Sequence, residues 1–281
     1  MDKKLVIIPT YNEKENIADI LAAVFALPGD FHVLVIDDGS PDGTADIVKG
    51  LSGGTHAPES VATLGRVRGR GPRECPEDTT VWEGPERSGG DSGACVPPEG
   101  RLHLIEREGK QGLGTAYLTG FRWALEHGYD YIFEMDADFS HDPKDLVRLH
   151  KACEDGAGLA IGSRYCNGIS VVDWPMSRII MSWFASAYVR TVLRMRIYDT
   201  TAGFVCYRRE VLEAINLDGI KMKGYGFQIE MKYTAWKKGF KLQEVPIIFT
   251  NRQKGTSKMS GGIFGEAFWG VIALRVRKSV A

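Results

Sequence analysis

A short apolar run that ends in two carboxylates constrains this chain more than any other stretch. Tyr131-Ile132-Phe133-Glu134-Met135-Asp136-Ala137-Asp138 reads as a buried strand that delivers Asp136 and Asp138 one residue apart. Strand side chains alternate, so these two carboxylates point to the same side. In an α/β sheet, a parallel strand brings its last residues to the ligand crevice at the sheet's carboxyl edge. Two carboxylates at such an edge suit a hard divalent cation, Mg2+ or Mn2+, which takes oxygen ligands together with substrate phosphates. The bland alternative is a solvated strand end with incidental acids, and Asp-x-Asp alone does not separate the two.

The surrounding sequence supplies the sheet. Lys4 to Pro9 and His32 to Ile36 are short apolar runs, each read as a fully buried strand. Between them Ile17, Ile20, Leu21 and Val24 fall at helical spacing. A short helix follows near Ala45 to Leu51, and Arg101 to Arg107 resumes as an alternating strand. Strand–helix–strand alternation predicts an α/β fold, a mostly parallel sheet flanked by helices with right-handed crossovers. Gly109 to Gly114 is a glycine-rich turn before a helix from Thr115 to His127. It lacks the Gly-Lys-Ser/Thr ending of a phosphate-binding P-loop, so its glycines read as close helix–sheet packing, with Lys110 within reach of a phosphate.

Residues 52–100 break the pattern. They are rich in Gly, Pro, Ser, Arg and Glu and carry no sustained apolar period, so they predict a disordered insertion, placed away from the crevice. The rest divides into a catalytic domain over 1–51 and 101–258 and a terminal apolar helix within 259–281. Leu159 to Tyr165 is a further strand with Arg164 at its carboxyl end, and Lys241 to Asn251 is the last strand. Asp173 to Met195 is a long helix whose apolar load reads as core packing, with a lipid-accepting surface as the alternative. Ile263 to Leu274 is apolar nearly all round, too short to span a bilayer, and reads equally as a docked helix or as one lying in a membrane interface.

The bulk properties exclude several classes. A net charge of -1 over 281 residues argues against nucleic acid as a partner. The five cysteines show neither zinc spacing nor a disulfide framework, which points to a reducing compartment. The first strand begins almost at Met1, leaving no room for a signal peptide. The strand ends gather acids for a base, a ribose and a metal, and the loops around Lys223 and Arg252 to Lys258 supply cations. That balance fits a nucleotide diphosphate compound with Mg2+ or Mn2+.

Six stretches together carry a resemblance. They are Pro9-Thr10-Tyr11-Asn12-Glu13, Asp37-Asp38-Gly39-Ser40-Pro41-Asp42-Gly43-Thr44, Asp136-Ala137-Asp138-Phe139-Ser140-His141, Gly162-Ser163-Arg164-Tyr165, Gly224-Tyr225-Gly226-Phe227-Gln228-Ile229-Glu230, and the loop from Arg252 to Ser257-Lys258. In this order the chain resembles the family 2 glycosyltransferases of the GT-A fold, specifically the dolichyl (polyprenyl) phosphate mannose synthases. The resemblance implies a GT-A, Rossmann-like domain and inverting transfer of mannose from GDP-mannose to a polyprenyl or dolichyl phosphate. It implies that Pro9, Tyr11 and Glu13 contact the nucleoside, that Ile36 and Asp38 line the guanosine pocket, and that Asp136 and Ala137 lie near ribose and sugar phosphate. Asp138 and Ser140 would hold the metal. Arg164 and Lys223 would hold phosphate or sugar, and Arg252 and Lys258 would neutralise donor and acceptor phosphates. Asp136, Asp138 and Arg164 are thus the expected catalytic residues, with no separate base, because a phosphate nucleophile is already anionic.

The resemblance also implies a peripheral protein at the cytoplasmic face of a membrane, the endoplasmic reticulum in a eukaryote or the plasma membrane in a prokaryote. It would meet that membrane through its terminal helix or through small anchoring subunits. A polyprenyl-phosphate hexosyltransferase using a UDP-sugar shares every motif. An aspartate-nucleophile phosphohydrolase would leave Asp37-Asp38 and Pro9 to Glu13 without a role, and a scaffold that binds nucleotide-sugar without turnover would bind GDP and transfer nothing.

Overall fold

The computed structural model describes residues 2–52, 98, 100–222, 224–251 and 263–277, with the backbone alone at 225 and 263–267. A sheet of seven strands forms its centre, in the order β3-β2-β1-β4-β7-β5-β8. These are β1 (Lys4–Thr10), β2 (Phe31–Asp37), β3 (Leu102–Glu106), β4 (Tyr131–Glu134), β5 (Leu159–Ser163), β7 (Val205–Arg208) and β8 (Leu242–Pro246). All pairings are parallel except those of β7, which runs antiparallel between β4 and β5. The carboxyl ends of the other six strands therefore share one edge, and the segment 199–204 that enters β7 lies on that same edge. Two short strands, β6 (Val171–Val172) and β9 (Phe249–Thr250), pair separately.

Strand alternation explains why the apolar runs are continuous. Leu5 and Ile7 of β1, with Leu34 and Ile36 of β2, face one core, while Val6, Ile8, Val33 and Val35 face the other. The first face is covered by α3 (Leu113–Glu126), α5 (Met176–Leu193), α6 (Arg209–Ala214), α7 (Gly224–Lys237) and α8 (Ile263–Val276). The second is covered by α1 (Ile17–Phe25), α2 (Thr44–Leu51) and α4 (Asp145–Glu154). Each fully buried Val, Leu, Ile or Phe contributes about 1.5–3 kcal/mol, so both faces need apolar residues at every position. The close helix–sheet approach expected at Gly109 to Gly114 lies instead at Gly120 of α3, where a Cβ would sit 2.8 Å from Ile7; Gly109 and Gly112 have open space, and a Cβ at Gly114 would meet Phe227 of α7 at 3.0 Å.

Two expectations change. In α5 only Ser186, Val189 and Leu193 are buried, while Met176, Ile180, Met181, Trp183 and Phe184 are exposed. Core packing therefore accounts for the carboxyl half of this helix alone: Val189 and Leu193 join the core and Tyr188 packs on α8, while Arg178 and Ser182 of the amino half touch Trp174, Asn251 and Tyr165. The terminal helix is likewise divided. Val271 and Leu274 dock, Tyr188 stacks on Phe268 at 4.7 Å and donates to its carbonyl at 3.0 Å, and Trp269 remains 69% exposed.

β3 enters the sheet beside Val33, whose N–H bonds the Arg101 carbonyl at 2.8 Å. The chain thus returns from 53–97 at the amino edge, opposite the crevice. The predicted insertion itself lies outside the described residues, apart from its ends. Among the described cysteines Cys153, Cys166 and Cys206 are all free thiols. No helix among the described residues is long and apolar enough to cross a membrane.

Candidate active site

The loop after β1 and the loop after β2 are tied together residue by residue. Thr10 Oγ1 and Ser40 Oγ donate to Asp37 Oδ1 at 2.8 and 2.6 Å, and the Ser40 N–H donates to Asp37 Oδ2 at 2.8 Å. The Asn12 N–H reaches Ser40 Oγ at 3.0 Å, the Glu13 N–H reaches Thr44 Oγ1 at 3.1 Å, and the Lys14 N–H reaches Asp42 Oδ2 at 3.1 Å. Asp42 also accepts from the Thr44 N–H and hydroxyl at 3.0 and 2.6 Å. Burial opposes ionisation of Asp42, but these hydrogen bonds outweigh it and hold its pKa below the ordinary carboxylate value. The first two motifs are therefore one structural unit. Asp37 serves it as a buried hub, and the Asp38 side chain takes no part in these bonds between the two loops.

Asp38 has a partner that sequence reasoning passed over. Arg107, the first residue after β3, places Nε and Nη2 at 2.6 and 2.5 Å from Asp38 Oδ1. Its Nη1 bonds Thr115 Oγ1 at 2.9 Å, and its N–H bonds the Asp37 carbonyl at 2.8 Å. The register pairs Asp37 with Glu106, so Arg107 follows one residue later, beside Asp38; an arginine at the end of an alternating strand was the only sequence signal. Gly39 lets the chain pass here: its φ is +67°, and a Cβ would lie 3.1 Å from the Gly109 nitrogen. Lys110 Nζ stands 5.2 Å from the Tyr11 ring centroid, beside the expected nucleoside contact.

The Asp136–His141 loop follows β4. Asp138 is buried, and its Oδ1 accepts from the Ser140 N–H at 3.1 Å and from the Ser140 hydroxyl in a short bond. Phe139 between them has φ +57°, and Asn12 in the first loop has φ +55°. Left-handed non-glycine residues tend to mark functional loops, and two of the four among the described residues lie here. Asp136 is half-buried and Ala137 buried. Among the described residues no three His, Cys, Asp or Glu side chains converge as a metal cage. A hard cation held by one or two carboxylates and completed by substrate phosphates needs none, and the oxygen-only set of Asp138, Ser140 and Asp136 fits it. His141 is buried against Phe204 and Phe249, and that burial lowers its pKa to about 4, so it is neutral.

Three predicted residues are engaged by the protein itself. The Ile36 side chain is wholly buried, near Gly120 of α3, and belongs to the core between the sheet and that helix. The Glu13 carboxylate accepts from Asn16 Nδ2 at 2.9 Å and its carbonyl accepts the Asn16 and Ile17 N–H groups, which makes it a local anchor for α1. Arg164 is held in a bidentate pair with Asp199, Nε to Oδ2 and Nη2 to Oδ1, both 2.7 Å. Its Nη2 also reaches Thr201 Oγ1 at 3.0 Å, and Trp174 and Phe249 flank the guanidinium at 5.6 Å. Burial disfavours the charge of Asp199, yet Arg164 brings its pKa below the ordinary value. A buried arginine so engaged shapes the site's wall and is less available to a phosphate. Lys223, Arg252 and Lys258 lie outside the described residues. The chain leaves toward Arg252 directly from the site, since the Thr250 N–H bonds the Ser140 carbonyl at 3.1 Å.

Comparison with known proteins agrees with this architecture. The chain is 42% identical over 275 residues to the polyprenol monophosphomannose synthase of Mycolicibacterium smegmatis, spanning 98% of this chain and 88% of that one. It is 41% identical over 274 residues to the undecaprenyl-phosphate mannosyltransferase of Micrococcus luteus, spanning 96% and 94%. Among solved structures, glucosyl-3-phosphoglycerate synthase from Mycobacterium tuberculosis with Mn2+, UDP-glucose and phosphoglyceric acid superposes with a TM-score of 0.62 at 14% identity, covering 98% of this chain and 80% of that one. The same enzyme with Mg2+ and UDP gives 0.61 at 14% identity, covering 97% and 79%. At that identity the likeness concerns the fold, which is thus the GT-A arrangement expected from the motifs. The profile described as Glycosyl transferase family 2 matches residues 5–71 and 94–215, so the chain belongs to glycosyltransferase family 2.

Proposed function

We propose that this protein transfers mannose from GDP-mannose to a polyprenyl phosphate, with inversion at the anomeric carbon. The observation that carries the reading is the meeting of the Asp38–Arg107 unit and the Asp136–Ser140 loop on one sheet edge, in a chain whose relatives are named for this transfer. An oxygen of the lipid phosphate attacks the anomeric carbon, the bond to the diphosphate oxygen breaks, and its electron pair leaves with GDP. The acceptor is already anionic, so no side chain needs to remove a proton. Positioning and charge stabilisation remain as the protein's tasks. Tyr11, Asp38 and Lys110 would hold the nucleoside end, and Asp136 would sit nearest the sugar. Asp138, oriented by Ser140, would hold Mg2+ or Mn2+, which supplies positive charge to the leaving diphosphate. Lys223, Arg252 and Lys258 would meet the phosphates from the surrounding loops.

The lipid acceptor gives the exposed apolar side chains a role. Phe184 is 61% exposed on α5 and Trp269 is 69% exposed on α8, and the two helices are packed through Tyr188 and Phe268. Exposed aromatics on two helices packed together suit a helix pair lying in the headgroup region. These side chains support peripheral association with a membrane, and the cytoplasmic face is our proposal for its side. The test compares donors: GDP-mannose should label a short polyprenyl phosphate, and UDP-glucose should not. Preferential use of UDP-glucose would favour the hexosyltransferase reading instead.

A further inference from the structure

Glu134, Gln228 and Lys232 form a line of polar side chains in the otherwise apolar layer between the sheet and α7. All three are buried, and Lys232 has no exposed surface. Their bonding is directional. Gln228 Nε2 donates to Glu134 Oε2 in a short bond, while Lys232 Nζ lies 3.3 Å from Gln228 Oε1 and 2.5 Å from the Ala202 carbonyl. The amide therefore has one favoured orientation, with its donor toward the anion and its acceptor toward the cation.

Stability alone does not ask for such a set. Taking each ion out of water costs several kcal/mol, and apolar side chains of similar volume often serve a core equally well. The distinctive consequence is geometric. Glu134 ends β4 and stands two residues before Asp136. Ala202 belongs to the segment that carries Asp199, the partner of Arg164. Gln228 stands on α7, whose first turn begins immediately after Lys223.

We propose that Gln228 is a positioning residue for transfer: with Glu134 and Lys232 it locks the Asp136–Asp138 strand end, the Asp199–Arg164 wall and the start of α7 into one arrangement, so that donor and acceptor meet at reacting distance. The inference rests on the transfer reaction proposed above. None of the three side chains is assigned to touch either substrate, so their loss should act on turnover and not on nucleotide binding.

The variant Gln228→Met keeps length and volume but can neither donate nor accept in this way. Misplacement of about 1 Å at a transfer site costs on the order of 100-fold, so kcat should fall by about 10- to 100-fold. The donor KM and the GDP affinity measured by calorimetry should stay within about twofold. The double variant Glu134→Gln with Gln228→Glu exchanges the two ends: an amide at 134 donates to a carboxylate at 228, which Lys232 then contacts directly. Net charge and the hydrogen bond are retained, and kcat should return to within about fivefold of the wild type. A folded Gln228→Met protein with wild-type kcat would overturn the proposal, as would a loss of GDP affinity in proportion to kcat. Should Gln228→Met fail to fold, a folded exchange variant decides: near-normal kcat supports the proposal, and kcat below a tenth of the wild type overturns it. Wild-type turnover on GDP-mannose, run alongside, tests the reaction itself, so failure of that reading is distinguishable from failure of the positioning role.

Discussion

Replacing Arg107 by methionine is the most informative single perturbation of the site. Arg107 and Asp38 have side chains only 7% and 10% exposed, and two guanidinium nitrogens share one carboxylate oxygen at 2.6 and 2.5 Å. Arg107→Met leaves the carboxylate in place without its counter-charge. Breaking a buried pair from one side costs about 3–5 kcal/mol. For a chain of this size 1 kcal/mol corresponds to about 2–4 °C, so the melting temperature should fall by roughly 6–20 °C. Substituting both partners, Asp38→Leu with Arg107→Met, removes the stranded charge and should recover most of the loss, because two apolar partners can be nearly neutral. GDP affinity separates stability from function. A hydrogen bond to a charged group is worth about 1.5–3 kcal/mol, so if Asp38 contacts the nucleoside the double variant should bind GDP at least about tenfold more weakly although it is stable. Urea unfolding followed by fluorescence and GDP titration by calorimetry are the assays. A single variant within 1 kcal/mol of the wild type, or a double variant that regains stability and GDP affinity together, would refute the reasoning.

Two further outcomes follow from other parts of the molecule. His141 has a folded pKa of about 4 against an ordinary value of 6.5, so the unfolded chain binds more protons in that window, and stability present above pH 6.5 is lost as pH falls through the folded pKa. At pH 4.5 this amounts to about 2.5 kcal/mol; His141→Phe should flatten the stability profile between pH 6.5 and 4.5 by that amount, and an unchanged slope in denaturant titrations would contradict it. Phe184→Ser with Trp269→Ser should reduce co-sedimentation with phosphatidylcholine–phosphatidylglycerol vesicles by at least about tenfold, from about 1.5–3 kcal/mol per buried aromatic, and leave GDP binding unchanged. Equal sedimentation of variant and wild type would dispose of the membrane-docking role.

How much of this was legible depended on whether a residue's partner was near in sequence or carried by a pattern. The strands were readable because a sheet covered on both faces needs apolar residues at each position, as in Leu5 to Ile8. The placing of β7 antiparallel between β4 and β5 was not, since Val205 to Arg208 has no pattern that tells direction. The Asp138–Ser140 contact spans two residues and follows from the motif itself. The Arg107–Asp38 pair spans 69 residues and emerges only once β3 is seen beside β2. Arg164 was read as a strand-end cation; its partner Asp199, 35 residues on, could not be read from the sequence. Glu134 did leave a signal. A glutamate between Phe133 and Met135 in a buried strand must find a partner inside the protein, though nothing nearby in sequence pointed to Gln228. The apolar load of α5 could not reveal whether protein or lipid covers it, because both favour the same side chains.

The central claim is tested most directly by supplying purified protein with radiolabelled GDP-mannose, a short-chain polyprenyl phosphate and Mg2+ or Mn2+, and counting label in the organic phase, with Asp138→Ala in parallel. Transfer of label to lipid that requires the metal and is lost in the variant is the predicted result. A protein that binds GDP yet passes no mannose to the lipid under any of these conditions would contradict it.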